Sequence, residues 1–246
     1  MKIEIQGLNK IYPNGNHALK DINLEFGTGM FGLLGPNGAG KSSLMRILVT
    51  LMKPTSGIVL VDGMDIQKHR KELRSLLGYL PQDFRFFTSL KTWEFLDYSG
   101  SLAGMKNKKL RISEVDRLLD QVGLLEVRDR QANRLSGGMK RRLGIAQALI
   151  GNPRIIVVDE PTTGLDPVIT SSIHRLIKTT HDKYGFTAVI ISHEVPGIFG
   201  IVDKVAVLHN GIIEQAGTPG EISSSTNPVV RQFITGSLEG PIDILS

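Results

Sequence analysis

The chain of 246 residues contains no cysteine. Disulfides and cysteine-ligated metal sites are therefore excluded, and the composition is compatible with the cytosol. Long apolar runs are also missing, since the longest aliphatic run near the middle is Ile155-Ile156-Val157-Val158. A transmembrane helix needs roughly 20 apolar residues. Residues 1–6 lack the apolar segment of a signal peptide. We therefore expect a cytoplasmic protein without a membrane span.

Charge of one sign is in excess, with a formal net charge of +5. This excess favours contact with an anion, which could be ATP, a membrane surface or nucleic acid. Two clusters account for much of it, Lys106, Lys108, Lys109 and Arg111 in one and Lys140-Arg141-Arg142 in the other. Such clusters are more often solvated helix faces, so neither decides the function.

The hydrophobic periodicity predicts an α/β protein. An Asn14-Gly15 turn between two alternating segments, 2–12 and 17–26, predicts a hairpin, and strand-like runs follow. Between about 88 and 149 the pattern becomes helical. We expect one domain over 1–246: an α/β core with a β subdomain in 1–87 and 150–221, a helical subdomain in 88–149, and a helical tail in 222–246. The predicted strand-like runs are 30–34, 57–61, 155–158, 187–191, 204–208 and 212–215.

A glycine-rich loop is the most informative feature of the chain. Gly35-Pro36-Asn37-Gly38-Ala39-Gly40-Lys41-Ser42 matches G-x-x-x-x-G-K-[ST] between a predicted strand and a helix that begins near Ser43. Glycines let successive N–H groups point at anionic oxygens, and the helix adds its positive dipole end. Lys41 would contact the β- and γ-phosphates and Ser42 would hold Mg²⁺. The loop predicts a site for a nucleoside triphosphate.

Two carboxylates follow the most apolar strand. Ile155–Val158 leads into Asp159 and Glu160, and ligands bind at the carboxyl ends of strands in open α/β sheets. Asp159 is placed to act on Mg²⁺, and Glu160 to polarise the attacking water as a general base.

A second anion-binding device lies at Leu135-Ser136-Gly137-Gly138-Met139, ahead of an amphipathic helix. A helix N-terminus with a hydroxyl and glycine N–H groups suits phosphate. Together with the glycine-rich loop, it implies a triphosphate held from two sides.

With these elements in order, the chain resembles the nucleotide-binding subunit of an ATP-binding cassette (ABC) transporter. The resemblance implies a phosphate-loop NTPase core with a mostly parallel sheet, an N-terminal antiparallel β subdomain and an inserted helical subdomain. It also implies ATPase activity, with ATP and Mg²⁺ as ligands. The roles implied are those of the Walker A loop for Gly35–Ser42, the Walker B strand for 155–159, the catalytic glutamate for Glu160, the signature for 135–139, the glutamine contact to Mg²⁺ or water for Gln82, the D-loop for Thr163–Asp166, the switch histidine for His193, and the adenine-stacking ring for Tyr12. Ser43 is also expected to bind the nucleotide.

The resemblance further implies partners. Two cassettes, in a homodimer or a heterodimer with a related ATPase, would face each other head to tail around two ATP molecules. A separate membrane permease would hold the chain at the cytoplasmic face of the membrane, and no nucleic acid is expected. Six of the fourteen aromatic residues lie in 84–98 and could form the groove for a helix of that permease or simply pack the helical lobe: Phe84, Phe86, Phe87, Trp93, Phe95 and Tyr98.

The cargo is ambiguous at this stage. Residues 1 to about 160 resemble ATPases of multidrug, bacitracin or sodium exporters, whereas 166–170, 191–196 and the tail at 227–241 resemble those of Mla-type phospholipid transporters. A divergent member and a hybrid of two subfamilies both fit, and the cargo expected is a lipid or a drug-like compound. Two other functional classes are considered beside a transporter subunit. One is a soluble ABC ATPase that acts on DNA or ribosomes. The other is a non-hydrolysing scaffold, and the presence of Glu160 and His193 argues against the scaffold.

Overall fold

The computed structural model describes residues 1–82 and 89–243. Its strands are β1 (Ile3–Ile11), β2 (His17–Phe26), β3 (Met30–Leu34), β4 (Ser56–Val61), β5 (Met64–Asp65), β6 (Leu77–Leu80), β7 (Ile155–Asp159), β8 (Thr187–Ser192), β9 (Lys204–His209) and β10 (Ile212–Gly217). Its helices are α1 (Lys41–Leu48), α2 (Arg70–Ser75), α3 (Thr92–Leu102), α4 (Lys108–Gln121), α5 (Gly137–Leu149), α6 (Pro167–Tyr184), α7 (Val195–Phe199), α8 (Pro219–Ser223) and α9 (Pro228–Thr235).

The contacts divide the chain into two compact units. Unit 1 comprises Met1–Leu73 and Thr187–Ser246, and unit 2 comprises Arg74–Phe186. The helices α3, α4 and α5, which fill most of the expected helical subdomain, belong to unit 2 together with β6, β7 and α6.

Unit 1 begins with an antiparallel sheet of order β2-β1-β4-β5. The hairpin of β1 and β2 pairs Ile3 with Phe26 and Ile11 with His17 around the predicted Asn-Gly turn. Gly15 has φ of 82°, a left-handed conformation that glycine adopts without strain. The predicted N-terminal antiparallel subdomain is confirmed.

The second sheet of unit 1 contains β10, β9, β3 and β8 in that order. The central strand β3 is parallel to both β8 and β9, and β10 closes the edge as an antiparallel hairpin after Asn210-Gly211. All residues of β3 and β8 are buried, as expected for parallel strands covered on both faces. This arrangement confirms the predicted mostly parallel core.

Unit 2 contains a parallel pair of strands, β6 and β7, with Leu80 opposite Val158. Strand β6 was not predicted from the sequence, because four residues with a central glycine give little periodicity. That glycine has a packing reason: a Cβ on Gly78 would lie 1.9 Å from the backbone oxygen of Ala148 in α5. The strand and the helix therefore meet at backbone distance.

Apolar segments long enough to cross a membrane are not found among the helices of the described residues.

Candidate nucleotide-binding site

The glycine-rich loop of unit 1 connects β3 to α1, as the motif predicts. Gly35, Gly38 and Gly40 have φ of 153°, 79° and 108°, so the backbone turns in conformations that glycine favours. Gly40 is the N-cap of α1 and makes no side-chain capping hydrogen bond. The first-turn N–H groups of α1 thus follow a cap that offers them no side-chain acceptor, which suits an anionic ligand.

Lys41 is held in this loop by its own backbone. Its Nζ donates to the Gly35 oxygen at 2.6 Å and to the Pro36 oxygen at 3.0 Å, and the residue is only 7% exposed. These contacts hold the ammonium group over the loop. Ser42, the next residue, is exposed at the start of α1, where its hydroxyl is accessible to a ligand.

Two further predicted residues of unit 1 lie near the loop. The Tyr12 hydroxyl and the Ser43 hydroxyl are 3.0 Å apart, which places the aromatic ring beside the first turn of α1. His193 directly follows β8, in which Ser192 pairs with Leu34 of β3. Because the strands are parallel, His193 and Gly35 leave the sheet at the same edge.

The Walker B-like carboxylates lie at the end of β7 in unit 2. Asp159 and Glu160 are each 6% exposed, so both carboxyl groups are largely removed from water. Thr163 Oγ1 donates to Glu160 Oε2 at 3.3 Å. Glu160 also has φ of 48°, a left-handed backbone that is uncommon for glutamate and costs free energy. The chain holds this carboxylate in a strained position that unit 2 must maintain.

Gln82 lies near the same edge of unit 2, because it comes two residues after Leu80, and Leu80 pairs with Val158 in the parallel β6–β7 ladder. Arg141 of α5 donates from Nη1 to the Gln82 backbone oxygen at 2.8 Å and to the Pro81 oxygen at 3.4 Å. This guanidinium therefore fixes the chain around Gln82 to the helix that follows the signature-like segment.

Arginines of α5 differ from the sequence-based expectation of a solvated face. Arg142 donates from Nη1 to the Val122 oxygen at 3.1 Å and from Nη2 to the Ser172 hydroxyl at 2.8 Å. A guanidinium has five donors in a planar fork and can bridge several elements. Arg141 and Arg142 are anchored residues, and charge alone did not distinguish them from solvated ones.

The signature-like segment forms the N-terminus of α5. Ser136 is the exposed N-cap, and its hydroxyl accepts from the Met139 N–H at 3.3 Å. A Cβ on Gly137 would be 3.4 Å from Leu165, and one on Gly138 would be 2.8 Å from Ile169. The two glycines thus let α5 pack against the D-loop-like segment and α6.

Asp166 is the N-cap of α6, one of the elements against which α5 packs. Its carboxylate accepts from the N–H groups of Val168 and Ile169, both at 3.0 Å, and caps α6 with Pro167 at the first helical position. The residue is exposed at the surface of unit 2.

Part of the predicted partner groove lies outside the described residues, namely Phe84, Phe86 and Phe87. Of the described members, Phe95 is buried and Tyr98 is exposed. Arg128 lies over the ring of Trp93, 5.6 Å from its centroid. Trp93 and Phe95 thus fit the alternative of packing within the helical region.

The described residues contain no group of three or more histidine, aspartate or glutamate side chains placed to hold a metal ion. A hydroxyl, an amide and one carboxylate from Ser42, Gln82 and Asp159 are hard oxygen donors. Mg²⁺ bound with phosphates typically uses one or two carboxylates and keeps waters. Each of these groups is therefore of a kind that Mg²⁺ accepts beside a nucleotide.

Comparisons with known proteins agree with this geometry. The model of the ABC transporter family matches residues 19–163. The methionine import ATP-binding protein MetN of Cupriavidus metallidurans is 37% identical, over 99% of this chain and 74% of that protein. MetN of Vibrio vulnificus is 38% identical, over 96% of this chain and 71% of that protein.

Solved structures show the same architecture. The cbiO1 protein of Clostridium perfringens, described as part of the ABC transporter complex cbiONQ, superposes with a TM-score of 0.83 at 29% identity, covering 94% of this chain and 93% of its own. The cassette MJ0796, described as a dimer in a post-hydrolysis state with ADP and Pi, gives 0.79 at 27% identity, covering 88% of this chain and 98% of its own.

The family match spans more than half of the chain and includes the glycine-rich loop, the signature-like segment and the two buried carboxylates. The chain belongs to the ABC transporter family and is an ATP-binding, ATP-hydrolysing subunit of that family.

Proposed function

We propose that the chain powers a transporter by binding and hydrolysing ATP between two facing cassettes, while a separate membrane subunit carries the cargo. The observation that carries this proposal is the loop of unit 1, where Lys41 is fixed by two carbonyls at the start of an N-terminally uncapped helix. That arrangement suits phosphate groups, since it presents an ammonium and backbone amides on the same side.

Each candidate site residue has its own role in binding or hydrolysing ATP. Lys41 and the loop amides bind the β- and γ-phosphates, and the Tyr12 ring stacks on the adenine. Glu160 orients and polarises water for in-line attack on the γ-phosphorus, and His193 contacts the γ-phosphate. Ser42, Gln82 and Asp159 would hold Mg²⁺. When bound, Mg²⁺ neutralises charge on the phosphate oxygens.

Dimerisation follows from the second anion-binding device. Ser136 is exposed at the N-terminus of α5, whose first turn contains no acidic residue. In our proposal Ser136, Gly137 and Gly138 of one copy bind the triphosphate held by Lys41 of the other, and Asp166 stabilises the facing loop. The dimeric MJ0796 structure supports this assembly for a related cassette. Hydrolysis would remove the shared γ-phosphate and let the copies separate.

For the cargo we propose methionine, taken up through a permease at whose cytoplasmic face the chain is held. The MetN relatives, aligned over 96% or more of this chain, support this choice. They do not support the phospholipid or drug-like cargo expected from sequence, and we replace that expectation. Co-expression with its permease should restore methionine uptake to a strain that lacks such uptake, and uptake of another cargo alone would contradict the proposal.

The ATPase assignment is tested with two substitutions that act at different steps. Glu160→Gln should lower kcat at least about 100-fold while ATP still binds, because the amide cannot accept a proton from water. Lys41→Ala should weaken ATP binding by about 10- to 100-fold, since a charge-assisted contact contributes roughly 1.5–3 kcal/mol. Phosphate release and equilibrium binding of ATP–Mg²⁺ give the two readouts.

Glu126→Gln is the matched control, because Glu126 is an exposed carboxylate of unit 2 that the proposed mechanism does not use. It should leave both readouts unchanged. Wild-type turnover in Glu160→Gln would refute the role of this carboxylate, and unchanged ATP affinity in Lys41→Ala would refute that of the ammonium group.

A further inference from the structure

The turn between α3 and α4 exposes a group of large apolar side chains. Leu102 is 72% exposed, Leu110 is 64% exposed, and Tyr98 is 45% exposed. Tyr98 and Leu102 are four residues apart on α3 and therefore share one face of that helix. Leu110 belongs to the first turn of α4. We call residues 98–110 the helical tip.

The helical tip is also strongly basic. Lys106, Lys108 and Lys109 are exposed, and no aspartate or glutamate occurs between Asp97 and Glu114. In the part of the chain that the structure describes, these three ammonium groups form no salt bridge. The two flanking carboxylates are both paired with arginines, Asp97 with Arg111 at 2.7 Å and Glu114 with Arg117. The positive charge of the tip is thus not compensated by its neighbours along the chain.

The positions of Lys108 and Lys109 are unfavourable for the helix itself. They occupy the first turn of α4, which contains no acidic residue, and the N-terminus of a helix carries positive partial charge. Local helix stability therefore does not explain these lysines. Lysines and helix dipole together concentrate positive potential at one end of α4, where an anionic surface would be attracted.

The turn is held in a defined shape. Arg111, 9% exposed, donates from Nη1 to the Met105 oxygen at 2.6 Å and from Nε to Asp97 at 2.7 Å. Asn107 caps α4 by accepting from the Leu110 N–H at 3.1 Å. Gly104 turns the chain with φ of 90°. These contacts keep the leucines and lysines on the outside.

We propose that the helical tip binds an anionic lipid bilayer directly. Exposed leucines enter the boundary between head groups and acyl chains, while lysines contact anionic head groups. Charge complementarity identifies an anionic partner, and the neighbouring exposed apolar side chains favour a bilayer over nucleic acid. This contact needs neither nucleotide nor the membrane subunit, so it goes beyond the proposed function and can fail independently of it.

The test uses the full chain and lipid vesicles in a sedimentation assay. Vesicles of phosphatidylcholine with phosphatidylglycerol should bind the protein, and vesicles of phosphatidylcholine alone should bind it much less. Binding should weaken as salt is raised. The triple variant Lys106→Gln, Lys108→Gln and Lys109→Gln should lower the partition coefficient by about a hundredfold at low salt. Leu102→Ser with Leu110→Ser should lower it as well.

A matched triple variant controls for net charge. Lys68, Lys71 and Lys204 are also exposed, and they belong to unit 1, whereas the helical tip belongs to unit 2. Their replacement by glutamine removes the same net charge as the tip variant. This variant should keep most of the vesicle binding. Since removing cations from the first turn of α4 relieves an unfavourable dipole contact, the tip variant should fold at least as well as the wild type. Its ATPase rate should be unchanged.

The absence of cysteine allows a site-specific readout. Ser101→Cys carries an environment-sensitive dye on the tip, and Lys71→Cys carries it on α2. Phosphatidylglycerol vesicles should shift the dye emission to the blue at position 101 and not at position 71. Equal loss of binding in both triple variants, equal shifts at both dyes, or equally tight tip-dependent binding of DNA would each overturn the lipid assignment.

Discussion

Gly38 and Gly40 both have left-handed backbone angles in the phosphate loop, but their surroundings differ. A Cβ on Gly40 would lie 2.4 Å from the Ala18 backbone oxygen, so the loop packs there against β2. A Cβ on Gly38 would have no atom within 4 Å. Gly40 is thus required by the fold, whereas the space beside Gly38 is open to a ligand.

Alanine substitutions should separate these two roles. Gly40→Ala should destabilise the protein by about 2–5 kcal/mol, since it combines left-handed strain with a clash against backbone. Gly38→Ala should cost only about 1–2 kcal/mol of stability, but it should weaken ATP binding because its methyl group enters the phosphate space. Urea denaturation and ATP titration measure the two effects. Equal loss of stability in both variants would contradict the assignment.

The motifs indicate candidate site residues but do not contain their local geometry. The sequence indicates Glu160 because it follows an aliphatic strand, yet nothing in it predicts φ of 48° or the bond from Thr163. Arg141 was missed for a similar reason, since its contact with the Gln82 oxygen joins residues 59 positions apart. Long-range polar contacts leave no periodic pattern in a sequence.

At the scale of elements, the short helix α8 depends on its first turn. Thr218 and Glu221 form a reciprocal capping box: the Glu221 N–H donates to the Thr218 hydroxyl, and the Thr218 N–H donates to Glu221 Oε2 at 2.7 Å. The hydrogen bond from the Thr218 backbone, followed by that from its hydroxyl, lowers the pKa of Glu221. Ile222, which is fully buried, links this helix to the core.

The lowered pKa of Glu221 makes the stability of this cap depend on pH. Its charged form stabilises the fold fully above the unfolded pKa, and this contribution disappears as pH falls through the lower folded pKa. Wild type should therefore exceed Glu221→Gln in urea stability at pH 7, and the difference should shrink below the ordinary pKa near 4.5. If the difference in urea stability between wild type and Glu221→Gln stays constant from pH 7 to well below the ordinary pKa, this account is contradicted.

Elements with strong local signals were predictable, and those defined by packing were not. The Asn-Gly turn predicted the β1–β2 hairpin, and Gly15 supplies the left-handed residue of that turn. Strand β6 was not predicted, because its position depends on the close approach of Gly78 to α5. The boundaries of compact units are equally set by tertiary contacts, which the periodicity of the sequence does not contain.

At the scale of the whole molecule, the sequence identified the ATPase, whereas the relatives do not support the cargo expected from it. Segments such as 78–82 and the tail at 227–241 were compared with the ATPases of exporters and of phospholipid transporters. They belong to the subunit that binds and hydrolyses ATP. Cargo selection makes no demand on this chemistry, so resemblance in these segments says little about what is carried.

A cross-linking experiment addresses the proposed head-to-tail dimer, and the cysteine-free chain makes it specific. Asn37 of the phosphate loop and Ser136 at the start of α5 are both exposed. In a Glu160→Gln background with ATP–Mg²⁺, a mixture of Asn37→Cys and Ser136→Cys chains should be joined by a bismaleimide linker into a mixed dimer. Each variant alone should give far less product, because the facing copies present unlike loops to each other. Removal of ATP should abolish the cross-link, and efficient joining of Ser136→Cys to itself would indicate a different assembly.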